Sequence, residues 1–251
     1  MTAALRLDED EDRLVVHLDR PEVRNAIDQQ MMDELHAVCA RLEATSKVLL
    51  LIGEGGNFAA GADIAELLGR RRADALRGIN SSLFNRVRRL PMLVIGLLDG
   101  YALGGGAELA YACDLRIGTP RLRISNPEPG LGILAAAGTA WRLAELVGEP
   151  VAKEVLLAGR VLKGEEALQL HLVSKLVEPD DLLAAGHRWA DRICRQAPLA
   201  VRLTKTVLHA PREAHPVIDD LTQAVLFETE DKWERMTAFL DKRHHDEGVR
   251  R

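Results

Sequence analysis

The sequence predicts an α/β protein with helices packed on a largely parallel sheet. Through the first two-thirds of the chain, short runs of apolar β-formers alternate with segments of helical periodicity. Those runs are continuously apolar, as in strands buried on both faces. Beyond about residue 140 the strand signals fade and amphipathic helices take over.

Leu14-Val15-Val16-His17-Leu18 reads as a strand closed by Arg20-Pro21. From Asp28 to Leu42, Met31, Leu35, Val38 and Leu42 recur at helical spacing, and Val48 to Ile52 is a buried-strand run ending at Gly53. Residues 53–62 are too rich in Gly and Ala for regular structure. Asp63 followed by Glu66 then has the form of a capping box opening a helix. Val94 to Leu98 is a strand that runs into Gly104-Gly105-Gly106 and a helix from Ala107 to Cys113. Leu115-Arg116-Ile117, Leu122-Arg123-Ile124 and Leu172 to Val177 are further strand candidates. Helices are expected near 141–147, 150–157, 180–196, 198–209, 213–227 and 229–243.

A chain of 251 residues with 47% hydrophobic content can bury a large core. No apolar run spans a bilayer, and the acidic N-terminus lacks the order of a signal peptide, so a soluble, cytoplasmic protein is expected. The 3 cysteines, Cys39, Cys113 and Cys194, are scattered as core thiols would be, and the histidines form no metal-binding pattern, so no metal is expected. A net charge of -5 argues against broad nucleic-acid binding. One local exception is the run Arg70, Arg71, Arg72, Arg77, Arg86, Arg88 and Arg89, which reads first as a solvated helix face and second as an attraction for an anionic ligand.

Chemistry is most concentrated around Glu108. Alone, a helix glutamate is usually a solvated one. Here three glycines precede it at a strand-to-helix turn, where the backbone can approach a ligand closely and the helix N-terminus presents unpaired N–H groups. That equipment suits an oxyanion better than a dinucleotide, because the pattern is not GxGxxG. Residues 53–62 form a second Gly/Ala-rich turn leading into a helix, so a second N–H can face the first. Two such donors suit a thioester oxygen. Glu128, between Pro127 and Pro129, has a restricted backbone that suits a side chain held in one place, although a surface turn would look similar. Paired carboxylates can divide acid and base roles.

The chain resembles the crotonase superfamily, also called the enoyl-CoA hydratase/isomerase family. The resemblance rests on the ordered segments Arg20-Pro21-Glu22-Val23-Arg24-Asn25-Ala26, Asn57 to Ile64, Asp99 to Leu109, Asn126-Pro127-Glu128 and Thr237 to Arg243. It implies a spiral of repeated β-β-α units over 1–195 and a helical oligomerisation region over 196–251 that forms a homotrimer or a dimer of trimers. It implies an oxyanion hole from the N–H groups of Ala62 and Gly105, with Glu108 and Glu128 as catalytic glutamates. Coenzyme A contacts are implied at Arg24, Ala26, Ala60 and Ile64, with Phe239 and Lys242 supplied by a neighbouring subunit. The substrate would be an acyl-CoA thioester, with no cofactor beyond that coenzyme A.

Two departures from the family pattern lie near the site or its support. The usual glycine-rich turn after Glu128 is replaced by Ile133-Leu134-Ala135-Ala136-Ala137-Gly138, which is expected to narrow the acyl pocket or move the water; and Met92-Leu93 stands where Lys-Pro is common. A third, Arg235 in place of a frequent Gly, is expected to alter the phosphate contacts or the trimer edge. Possession of both glutamates favours an enoyl-CoA hydratase over a Δ3,Δ2-enoyl-CoA isomerase. A non-catalytic acyl-CoA- or RNA-binding member of the family is the alternative from a different class, supported only by the arginine run.

Overall fold

Asp28 caps the first long helix by accepting a hydrogen bond from the Met31 N–H at 2.8 Å, and the face that follows buries Met31, Met32, Leu35, Val38, Cys39 and Leu42. The sequence periodicity thus becomes one wall of a core. The computed structural model describes residues 3–249, without the side chains of 242–249. The chain divides into two units, residues 1–191 and 192–251.

In the first unit the strands are β1 (Leu5–Glu9), β2 (Arg13–Leu18), β3 (Val48–Gly53), β4 (Val94–Leu98), β5 (Tyr101–Leu103), β6 (Leu115–Gly118), β7 (Arg123–Ser125), β8 (Leu162–Lys163) and β9 (Lys175–Leu176). The helices of this unit are α1 (Gln29–Glu43), α2 (Ile64–Gly69), α3 (Arg72–Arg77), α4 (Ile79–Arg88), α5 (Gly105–Ala112), α6 (Thr139–Val147), α7 (Glu149–Ala158) and α8 (Gly164–Gln169). They are followed by α9 (Leu182–Cys194), whose last turn enters the second unit.

Six strands form one sheet in the order β1-β2-β3-β4-β6-β9, parallel throughout except for the antiparallel β1–β2 edge. Strands β5, β7 and β8 form a second sheet, and Ala59 joins it through a parallel bridge to Ala102. The connectivity repeats. β4 lies in the large sheet, β5 in the small one, and α5 follows; β6, β7 and α6 do the same. β3, Ala59 and α2 make an earlier turn of the spiral. The parallel sheet expected from the continuous apolar runs and the β-β-α spiral expected from the resemblance are therefore the same object seen at two scales.

Several local expectations need correction. β1 has no alternating signal because it is a charged edge strand in which only Leu5 is buried, and such an edge resists pairing with other chains. The Leu172 to Val177 strand shrinks to Lys175–Leu176; Leu172 and Val173 are core residues of a loop. The helix expected over 213–227 begins only at Val217, after Pro216, with a short 3-10 turn before it. Asp63 does cap α2, accepting from the N–H groups of Ala65 and Glu66, but Glu66 completes no capping box; its carboxylate accepts from the Gln29 N–H at 3.0 Å. The arginine run spans α3 and α4 as a largely exposed face, yet part of it is engaged. Arg77 pairs with Asp74, and Arg86 forks onto Glu43 at 2.6 and 2.7 Å.

In the second unit α10 (Pro198–Leu208), α11 (Val217–Phe227) and α12 (Glu230–Val249) complete the chain. Arg235, where the family often has Gly, donates to the Arg195 carbonyl and pairs with Asp231. Among the described residues no helix is long and apolar enough to cross a membrane.

A tight junction that positions the site lies where α5 begins. A Cβ added to Gly106 would stand 2.2 Å from the Ala59 carbonyl oxygen, a backbone atom that cannot swing aside. Gly106→Ala therefore has to push α5 from the second sheet. A thermal melt is expected to show a loss of about 2 kcal/mol or more, the range of an overpacked core. A variant as stable as the parent would mean that this approach does not set the helix position.

Candidate active site

Two chain segments meet at the start of α5. Residues 24–27 run beside residues 60–63: the Ala60 N–H donates to the Arg24 carbonyl at 2.9 Å, the Ile27 N–H to Gly61 at 2.7 Å, and the Asp63 N–H to Ile27 at 2.9 Å. Arg24 and Asn25 are left-handed, at φ 53° and 57°. Asn25 is fully buried and makes that conformation useful. Its side chain donates to the carbonyls of Glu54 at 2.9 Å and Asn57 at 2.8 Å while accepting from the Arg20 N–H at 2.9 Å. The Arg-Asn-Ala segment is thus a buckle across the turn that carries Ala62.

That turn faces the glycine turn before Glu108. The position a Cβ would take on Gly105 is 3.5 Å from the Ala62 nitrogen, and the corresponding position on Gly61 is 3.9 Å from the Gly105 nitrogen. Among the described residues, neither the Ala62 nor the Gly105 N–H donates to another protein group. Two adjacent unspent amide donors, one at a helix N-terminus, are equipment suited to an oxygen carrying negative charge. Gly104 permits this with φ 51°, and even its absent Cβ would lie 3.2 Å from the Glu128 carboxyl.

Neither glutamate is the solvated side chain that an isolated helix or turn residue would be. Glu108 is 5% exposed and Glu128 8%. Glu108 Oε1 accepts from the Ala137 N–H at 2.7 Å and the Thr139 hydroxyl at 3.0 Å. The altered 133–138 segment therefore supplies a donor to Glu108. Glu128 Oε1 lies 3.4 Å from the Asn126 amide nitrogen, and Glu128 Oε2 is buried with no protein partner. Burial pushes the Glu108 carboxyl up to about 7, with the charge of Glu128 adding to the shift and the bonds from Ala137 and Thr139 opposing it. Burial also raises Glu128. Beside Glu108 is a cavity of about 10 Å3, the room one water needs, lined in part by Phe84, Arg88, Tyr111, Ala137 and Trp141.

The other expected residues fall in separate places. Arg24 is exposed and stacks over the Tyr101 ring at 5.4 Å, Ala26 and Ala60 are half-buried on the paired segments, and Ile64 is exposed at the start of α2. Phe239 is exposed on α12 in the second unit, and the side chain of Lys242 lies outside the described residues. Asn25, Asn126, Ala137 and Thr139 were not singled out from the sequence as site residues. Asn25 and Asn126 stand inside the motif segments and Ala137 inside the altered 133–138 turn; nothing local marks Thr139. Among the described residues no group of His, Cys, Asp and Glu could hold a metal ion.

A sequence model of the family Enoyl-CoA hydratase/isomerase matches residues 9–247. The chain belongs to the enoyl-CoA hydratase/isomerase family. It is 35% identical over 246 residues to the short-chain-enoyl-CoA hydratase of Clostridium acetobutylicum, covering 91% of each chain. It is also 35% identical to the crotonyl-CoA hydratase of Syntrophomonas wolfei, covering 94% of this chain and 95% of that one. An enoyl-CoA hydratase subunit I from Geobacillus kaustophilus superimposes with a TM-score of 0.88 at 33% identity, over 95% of each chain. The extent of these matches carries the family assignment across both units.

The buried glutamate sets a pH dependence. A carboxyl whose folded pKa lies above its ordinary value of 4.5 binds its proton more tightly when folded, so its stabilisation is full below 4.5 and is lost as pH rises through about 7. Glu108→Gln abolishes the cost of ionisation. Its unfolding free energy, from melts at each pH, is expected to gain on the parent between pH 5 and pH 8.5 by about 1–3 kcal/mol. A gap independent of pH would show that Glu108 ionises as in water.

Proposed function

We propose that this protein hydrates trans-2-enoyl-CoA thioesters. The observation that carries the reading is the pairing of two unspent amide donors, on Ala62 and Gly105, with two buried carboxyls at the same helix start. The names of the similar proteins support the substrate class.

In this reading the thioester carbonyl oxygen sits between the two N–H groups and gains charge as the water oxygen bonds to C3 and the double-bond electrons move toward the thioester. Each amide contributes about 3–4 kcal/mol to the enolate-like transition state. One glutamate takes the proton lost by water, and C2 receives a proton from the pair, so the sum is water added across the double bond. One proton held between the two carboxyls serves both steps. Glu128 Oε2, buried with no protein partner, is the oxygen free to face the substrate or its water.

Coenzyme A contacts at Arg24, Ala26, Ala60 and Ile64 belong to the same reading, with Phe239 and Lys242 from a neighbouring subunit. Its support is that Arg24, Ala26 and Ala60 lie on the two segments that position the Ala62 amide, with Ile64 directly after the second. A homotrimer or dimer of trimers, formed through 196–251, is likewise proposed. Exposed Val217, Leu221, Trp233 and Phe239 are apolar surface that an interface would cover.

The test is a panel of saturated, 2-enoyl and 3-enoyl CoA thioesters of graded length, scored by product identity. Loss of the enoyl-thioester absorbance and a 3-hydroxyacyl product from crotonyl-CoA are expected. Glu108→Gln and Glu128→Gln are each expected to lower kcat by about 10²–10⁴-fold with KM changed only a few-fold. Full activity in both variants would refute the acid/base roles, and turnover of 3-enoyl thioesters alone would make the protein an isomerase.

A further inference from the structure

One buried side chain links the two glutamates, bonding Glu128 directly and Glu108 through a hydroxyl. Asn126 is fully buried, and its amide nitrogen lies 3.4 Å from Glu128 Oε1 and 3.4 Å from the Thr139 hydroxyl, which itself donates to Glu108 Oε1. Its amide oxygen accepts from the Tyr111 hydroxyl at 3.1 Å. We propose that Asn126 is a positioning residue which, with Tyr111 and Thr139, joins Glu108 and Glu128 into a single hydrogen-bonded unit.

The direction of every bond follows from what each atom can do. The Asn126 nitrogen faces a carboxylate oxygen, a hydroxyl oxygen and, at 3.5 Å, the Gly104 carbonyl, all acceptors. Turning the amide over would set its oxygen against two of these acceptors that have no hydrogen to give, and its nitrogen against Tyr111. Tyr111, 1% exposed and with its phenol pushed up by burial, keeps its proton and holds the amide in the favourable orientation. Thr139 then accepts from Asn126 and gives its own proton to Glu108. Donors therefore run outward from Tyr111 to both carboxyls, and each bond favours a charged carboxylate.

Two consequences follow. Glu128 is tethered by Oε1, which leaves Oε2 as its free oxygen. Ionisation of each carboxyl is opposed by burial and assisted by a member of the same network, Thr139 at Glu108 and Asn126 at Glu128. The other charged groups near it are Arg88 on α4 and Arg142 on α6, both lining the cavity beside Glu108, and the buried Arg116 on β6, whose charge acts on Tyr111.

The inference rests on the hydratase reading for its consequences in turnover, but its central claim needs no substrate. Infrared titration of the protonated-carboxyl band, assigned with Glu108→Gln, follows Glu108 directly. In Thr139→Val the Glu108 midpoint is expected to move up by about half a unit or more, since a donor to its carboxylate is lost. Asn126→Ala removes a donor to Glu128 and the bond that orients Thr139, so the carboxyl titration is expected to shift there too. Thr139→Ser, which keeps the hydroxyl, is expected to restore the parent titration. With crotonyl-CoA, Asn126→Ala is expected to lose about tenfold or more in kcat while KM stays within about threefold. Should Asn126→Ala not fold, Tyr111→Phe removes only a hydroxyl and carries the same test with a smaller shift. A folded Asn126→Ala or Tyr111→Phe whose carboxyl titration overlays the parent's overturns the proposal. A protein that shows the titration shifts but turns over no enoyl thioester upholds it and overturns the hydratase reading instead.

Discussion

The site depends on how closely the first turn of α5 approaches the strand segment at Ala59. Only a residue without a Cβ fits at Gly106, where the Ala59 carbonyl occupies the space a side chain would need. That contact brings the Ala62 and Gly105 amides to neighbouring positions with their hydrogens unspent. A helix one side-chain layer farther away would still be a helix. Its first N–H would no longer stand beside that of Ala62 in the turn at residues 61–63.

Holding α5 in that place takes restraint at both of its ends. At its C-terminal end, buried Arg116 donates to the carbonyls of Cys113 at 2.6 Å and Ala110 at 3.4 Å, and to Leu172 at 2.7 Å. A cation beside the carbonyls at a helix C-terminus is favourable and anchors the helix to β6. At its N-terminal end, Gly104 donates to the Ser125 carbonyl at 2.9 Å, tying the glycine turn to β7 just before Asn126 and Glu128. The second glutamate is thus delivered to the first by the strand pairing that fastens the helix.

Much of the fold was legible because burial leaves a periodic trace. Val48 to Ile52 and Val94 to Leu98 announced central parallel strands by unbroken apolarity, and α1 declared itself by its buried stripe. Elements with weak or mixed burial were not legible. β1 is charged because it is an edge, and β5 and β8 are only 3 and 2 residues long, too short for any alternation. Glu108 and Glu128 were legible as candidates through their glycine and proline settings. Their burial was not, since a glutamate one turn into a helix has the same local sequence whether it faces solvent or a closed site.

By itself, the sequence determined the alternation of strands and helices, the glycine turns, the ordered motifs and the family they signify. These are local or linear properties, recorded in residue type and spacing. The tertiary structure decided which donors meet which acceptors: the Asn25 buckle, the Ala137 and Thr139 bonds to Glu108, and the bare second oxygen of Glu128. Thr139 and Glu108 are 31 positions apart and Asn25 and Asn57 are 32 apart. Contacts at that separation are set by how the spiral closes, and no local pattern records them. The raised proton affinity of Glu108 is of the same kind, because it comes from excluded water and a neighbouring carboxyl that only the folded chain provides.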